Sequence, residues 1–279
     1  MTTTSTDAND TSGATVPLET LTDEELAILA GDEGIVVSPF LASADPSERR
    51  VVLRTAYRGL LARGLVDPPT PEARAAAVEA RAVDGDRATV ELMVRQDVLS
   101  MVTLREAARL VVAAARTTVA GQDFWYAHVV DDVVLLEEVS ADGLHRFALD
   151  RTAALPDLVE AAVVHPEAGD GEGEELAWQP TNATDPTPPE PIVARLGASL
   201  VRCDLVVRHV GDEHPPMLGL FSGPGGSWSM RSEHGSREPV VVRPVTADAL
   251  RDEVRRLVTE RLAQATVTVD GVPRGGQQS

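Results

Sequence analysis

Lysine is absent from this 279-residue chain. All 25 basic residues are arginines, set against 44 acidic ones, for a net charge of −19. A field of that sign repels polyanions and argues against DNA or RNA as a partner. With the Ala and Val richness, the missing lysine points to a GC-rich genome such as an actinobacterium's rather than to special arginine chemistry. Aromatic residues make up only 3%, too few for a platform that stacks single-stranded nucleic acid. The single cysteine, Cys203, excludes an internal disulfide and a Cys-based zinc site. Its setting in "SLVRCDLVVRHV" predicts a small buried thiol on a strand. No apolar run reaches the ~18 residues that a membrane-spanning helix needs. The start, "MTTTSTDANDTSGATVP", lacks a basic segment followed by an apolar one. Residues 1–17 therefore read as a disordered polar tail, and the chain as cytoplasmic.

What is present begins with helices. In "LTDEELAILAG", Thr22 and Glu25 stand three apart, as in a capping box, with Leu26 and Leu29 on one face. "DPSERRVVLRTAYRGLLARGLVDPP" is the strongest helix pattern. Asp45 caps it, Pro46 suits its first position, Gly64 supplies a left-handed stop, and Pro68 and Pro69 prevent a restart. "PEARAAAVEA" is a weaker helix, and residues 87–106 fit helix or strand. The texture then changes to short β-branched runs separated by turns. "RLVVAAARTT", "FWYAHVV", "VVLLEEVS" and "LHRFALDR" read as four strands, with Asp131-Asp132 and Ala141-Asp142-Gly143 as turns. "LPDLVEAAVV" follows as a short helix.

Residues 165–191 are rich in Gly, Glu and Pro and read as an acidic, mobile linker. Beyond it the order recurs. "CDLVVRHV", "PPMLGLFSG", "GSWSMRSE" and "EPVVVRPV" read as strands, and "TADALRDEVRRLVTERLA" as an amphipathic helix. "LHRFALDRTAALPDLVEAAV" aligns with "REPVVVRPVTADALRDEVRRLV", and "RLVVAAART" with "DLVVRHVGD". The expected architecture is α+β: two quasi-repeated antiparallel β-sheets, each with helices, in a pseudo-two-fold arrangement. One half spans 18–164 and the other 192–264, with 265–279 a flexible tail.

Catalytic signatures are hard to assemble. "LFSGPGGSWSMRSEHG" places its glycines between two strands, whereas a phosphate loop needs a following helix, and a Walker loop a lysine. Ser232, Glu233 and His234 are consecutive, so on a strand they point to alternate faces and do not converge as a triad. His128, His145, His165, His209, His214 and His234 form neither H-x-x-x-H nor H-E-x-x-H. His209 and His214 flank a turn but lack an evident third ligand. Asp131-Asp132 reads as turn chemistry and Glu137-Glu138 as solvated strand positions. Gly225 and Gly226 read as a hairpin turn, with Trp228 packing on one strand face. The residues assign no catalytic, cofactor or metal site. A winged-helix DNA reader is the rival suggested by "RRVVLRTAYRGLLARGLVD", but its surroundings are acidic or Pro-rich, and the strands come late. An acidic protein-binding adaptor unrelated to secretion, and an enzyme whose site comes from scattered residues, are two more rivals.

The repeated order of strands and closing helix resembles the EspG-type, ESX secretion-associated proteins of actinobacteria. The resemblance rests on "LTDEELAILA", "RTAYRGLLARGLVDP", "FWYAHVVDDVVLLEEVSADGLHRFALDRTAALPDLV" and "GSWSMRSEHGSREPVVVRPVTADALRDEVRRL", and spans about residues 18–264. The family's Gly-Arg pair stands here as Gly235-Ser236-Arg237. The resemblance implies a cytoplasmic, non-enzymatic chaperone of type VII secretion. Such a protein holds a helical PE/PPE-like substrate without a cofactor and without binding nucleic acid or membrane. It assigns no binding residue. Ser232→Ala and His234→Ala are each expected to change stability by less than about 0.5 kcal/mol, as read by urea unfolding; a larger loss would give this cluster a structural role.

Overall fold

The computed structural model describes residues 15–31, 34–84, 92–179, 189–232 and 239–270. The first half runs β1 (Val16–Thr22), α1 (Asp23–Ala30), α2 (Pro39–Ser43), α3 (Pro46–Ala62), α4 (Pro71–Asp84), α5 (Gln96–Ala107), β2 (Leu110–Thr118), β3 (Gly121–Val130), β4 (Val133–Val139), β5 (Leu144–Arg151) and α6 (Leu155–Val163). The second runs β6 (Leu176–Trp178), α7 (Glu190–Leu196), β7 (Val201–His209), β8 (Met217–Gly223), β9 (Gly226–Ser232), β10 (Val240–Val245) and α8 (Ala247–Asp270).

The α+β class and antiparallel pairing are as expected, but the two four-stranded units form one sheet. Its ten strands run β1-β5-β4-β3-β2-β7-β8-β9-β10-β6. The join is β2 against β7, from Leu110↔His209 to Thr117↔Arg202. Outward from that join both halves carry the same order, and each ends on an edge strand from the segment preceding its helices. The sequence pattern missed both edges. β1 takes Val16 and Pro17, assigned above to the tail, and pairs with β5. β6 comes from the stretch read as a linker and pairs with β10.

Residues 165–175 attach largely through backbone groups, which is why their composition did not announce the packing, while Leu176 and Trp178 of β6 pack against the α7 cluster. His165 N–H donates to Ser222 Oγ at 2.9 Å. Gly169 N–H reaches Gly223 O at 2.9 Å, and Gly171 N–H reaches Val245 O at 2.8 Å. Asp170 Oδ1 accepts from Ala247 N–H at 2.9 Å, satisfying a free donor at the start of α8. At Gly171 an added Cβ would lie 2.0 Å from the carbonyl oxygen of Ser227. Only glycine allows this approach.

Local signals set the helix ends. Thr22 and Glu25 form the reciprocal capping box expected for α1. Asp45 Oδ1 accepts from Ser47 N–H at 2.8 Å, with Pro46 at the start of α3. Of the ambiguous segment 87–106, residues 96–106 are helical and belong to α5, while residues 85–91 lie outside the described residues.

One sheet face is closed by α6 and α8. Leu155, Val159 and Val163 meet Leu250, Val254 and Val258 over Val112, Leu205 and Leu220, all fully buried. Arg255 pairs with Glu160 at 2.5 Å and Arg251 with the same carboxylate at 3.3 Å along the seam. The opposite face is layered unevenly. α1, α3 and α5 pack over the first half around Leu26, Leu60, Met101 and Phe147. Among the described residues, α7 alone covers the second, with Ile192 and Leu196 on Trp228 and Val242. Gly171→Ala is expected to cost about 1–3 kcal/mol by overpacking and to expose residues 165–179 to protease; an unchanged urea midpoint and digestion pattern would refute the packed reading.

Candidate partner interface

Between those two coverings lies a strip of sheet over which none of the described helices packs. Residues directly opposite in an antiparallel pair share a face. One ladder row across the strip is Ala113, Val206 and Met217, and the next is Ala115, Asp204 and Gly219. Ala113, Ala115, Val206 and Met217 are half-buried, and Asp204 is exposed. Tyr126 and Phe124 border the strip on β3, and Met230 borders it on β9. The floor is apolar and built largely of small residues, a shape that suits another protein's ridge better than a small molecule.

The ionisable groups that do converge are buried at its side. His145, fully buried, donates from Nδ1 to Glu137 Oε1 at 2.6 Å and from Nε2 to Asp23 Oδ1 at 2.7 Å. A ring with a carboxylate on each nitrogen carries both protons. Glu137 Oε2 also accepts from His128 Nε2 at 2.8 Å and from Arg105 Nε at 2.9 Å. The buried Nδ1 of His128 has no hydrogen-bond partner among the described residues. Asp23 Oδ2 accepts from the N–H groups of Phe40 and Leu41 at 2.8 and 2.9 Å, at the start of α2. Gly143 lets α1 approach. A Cβ there would lie 2.9 Å from the Asp23 carboxyl, and its φ is +71°.

Burial alone would raise the Glu137 carboxyl. Hydrogen bonds from His128 and His145 and the nearby Arg105 charge outweigh it, holding Glu137 well below the usual carboxylate range. Burial alone would lower His145. Its bonds to Asp23 and Glu137 outweigh that and raise it. The network ties α1, α2 and α5 to β3, β4 and β5. Its groups are closed to solvent, so it acts as an internal clamp for the layer beside the strip.

Glu137 is therefore a correction: it is a fully buried hub, while its neighbour Glu138 is exposed as expected. The signal was available in the register. The turn at Asp131-Asp132 sets Glu137 opposite Tyr126 and diagonal to His128, and the next turn sets it diagonal to His145. Asp23 comes from a distant helix, and no local pattern announced it.

The other candidates stay apart. Gly225 and Gly226 form the β8–β9 turn, and Trp228 packs above Gly226, where an added Cβ would lie 2.6 Å from its ring. Ser232 ends β9; Glu233, His234 and Gly235-Ser236-Arg237 lie outside the described residues. Burial and Arg261 lower His209, and His214 sits in the exposed turn beyond it. His165 lies beside the β8 end of the sheet. Cys203 is buried, and that burial pushes its thiol up. Asp131, at φ 53°, and Asp132 make the expected tight turn. Among the described residues no group of three His, Cys, Asp or Glu is placed to hold a metal ion. No described helix is long and apolar enough to cross a membrane. α3 leads into α4 and α5, and among the described residues a Val66↔Val94 bridge stands where a winged helix would place its hairpin.

The sign of the network's pH response follows from its shifts. The His145 contribution is fully present below about pH 6.5, its ordinary value, and is lost as pH rises through the raised one. The Glu137 contribution is present above about pH 4.5 and is lost as pH falls through the lowered one. His145→Ala leaves two carboxylates facing a void and is expected to cost about 3–5 kcal/mol. Urea titrations between pH 5 and 9 should show the wild-type advantage over the variant shrinking toward high pH; a constant difference would remove the charge from His145.

Neither a family model nor a curated protein matches the sequence. Among solved structures, the chain is similar to one in "Structure of the Mycobacterium tuberculosis type VII secretion system chaperone EspG5 in complex with PE25-PPE41 dimer", at 13% identity and a TM-score of 0.46, with 94% of this chain and 99% of that chain covered.

Proposed function

We propose that this protein is a cytoplasmic chaperone of type VII secretion, a non-enzyme that holds a helical PE/PPE-type substrate until export. The observation that carries this reading is the bare central strip, Ala113–Val206–Met217 over Ala115–Asp204–Gly219. It lies in a sheet whose strands and closing helices include the segments that resemble EspG-type proteins. A secretion substrate exposes apolar helix tips that associate with themselves. A shallow apolar strip covers such tips without requiring them to unfold. The net charge of −19 keeps the loaded complex dispersed. Helices flanking the strip on both sides give the client a fixed track.

The direct test is co-expression with the PE/PPE-type proteins of the same genome. A stable co-purifying complex and increased client solubility are expected. Val206→Trp places a large ring in the middle of the strip and is expected to lower complex yield at least about tenfold, equivalent to 1.4 kcal/mol, with an unchanged melting temperature. Undiminished capture by that variant would move the client elsewhere. Salt-sensitive binding of duplex DNA with no effect on any client would favour the winged-helix reading instead.

A further inference from the structure

Asp204 stands alone in the strip. Its cross-strand neighbours on the same face are Ala115 and Gly219, neither of which reaches the height of its carboxylate. Gly219 is kept small by Met230, whose Cε would lie 2.8 Å from an added Cβ. Arg202 shares the face two residues away, but its guanidinium donates to Gly197 O at 3.4 Å, toward the end of α7. Among the described residues Asp204 has no hydrogen-bond or ion-pair partner, and neither has Arg208 further along β7. Asp204 is exposed at its tip, but the strands around its base partly desolvate the carboxyl and raise it, and no neighbouring group pulls it back.

An unpaired carboxylate on an apolar floor makes a poor surface for an apolar ridge, which would bury it without a partner. The same carboxylate becomes favourable when a partner brings the opposite charge and closes off water. Ala115 leaves room on its side for a long side chain to reach the carboxylate, while Met230 fills the space above Gly219 on the other. We propose that Asp204 is the polar anchor of this interface, and that its partner is an amphipathic helix whose apolar ridge carries one arginine or lysine seated over Ala115, beside Met230. This rests on the reading of the strip as the client-binding face. Arg208 adds a direction. Four residues along a strand span roughly 13 Å, a distance that eight or nine helical residues cover. An acidic side chain that far from the basic one completes the match.

The test uses the full chain and two synthetic helical peptides with identical Ala/Leu ridges, one with arginine at the centre and one with glutamate. Calorimetric titration is expected to show the arginine peptide binding at least tenfold tighter. Asp204→Asn should bring the two within about twofold. Any basic peptide feels the overall negative charge, so Asp248→Asn is the control. It removes the same charge from a side chain 94% exposed on α8, and the tenfold preference should persist. Equal binding of the two peptides, no binding of either, or a preference that survives Asp204→Asn would each overturn the anchor. Capture of PE/PPE-type clients is scored separately. A client held equally by wild type and Asp204→Asn also overturns the anchor while leaving the chaperone reading intact. The peptide preference without any captured client keeps the anchor and removes the secretion reading.

Discussion

The pairing of β2 with β7 is the constraint from which the rest of the molecule is built. Eight residue pairs in register, Leu110↔His209 through Thr117↔Arg202, turn two small sheets into one. Either half alone would end in a long apolar edge, a state that β proteins avoid. The join also brings α6 and α8 together. Each follows the last long strand of its half, and each lies on the same face with its apolar stripe turned inward. The core over the join thus combines residues more than ninety positions apart, Leu155 and Val159 with Leu250 and Val254.

The opposite face shows what the repeat does not share. Among the described residues, the first half inserts five helices between its edge strand and β2, whereas the second inserts α7 alone. Apolar contacts hold most of the larger layer, but its attachment beside β3 and β4 is ionic. Glu137 and Asp23 share the proton-bearing ring of His145, and Arg105 adds a second cation from α5. Buried ion pairs contribute less to net stability than to uniqueness of arrangement, because any displaced member leaves another unpaired. Here that requirement fixes the edge of the covering layer, and therefore where the bare strip begins. The strip is a by-product of unequal insertion into a symmetric frame.

Strong local signals made much of this legible. The Thr22–Glu25 box, the Asp45-Pro46 start, the turn at Asp131-Asp132 and the β-branched runs each specify backbone geometry within a few residues. The closing helices were readable from their period. Two kinds of feature were not. β1 and β6 are edge strands, paired on one side only, and they lack the alternating pattern that burial on a sheet imposes. The segment around Gly169 and Gly171 packs through main-chain groups, so its polar composition mimicked a linker. The Asp23–His145–Glu137 cluster needed a contact across 122 positions, which no local pattern encodes. The union of two sheets into one was hidden for the same reason, since each half's strand pattern is satisfied before its partner is known.

The central join also governs the order in which the chain becomes safe from misassembly. During synthesis β2 through β5 and α6 emerge well before β7, so the first half can pair its own hairpins while β2 waits with one edge unsatisfied. Its contacts with β7 are non-local, and closing them is entropically slower than forming any hairpin. The interval offers the β2 edge to another nascent chain, and a swapped dimer built through that strand would use the same hydrogen bonds as the monomer. A protein whose own folding runs through an exposed strand thus faces, for a time, the hazard of an unguarded apolar edge.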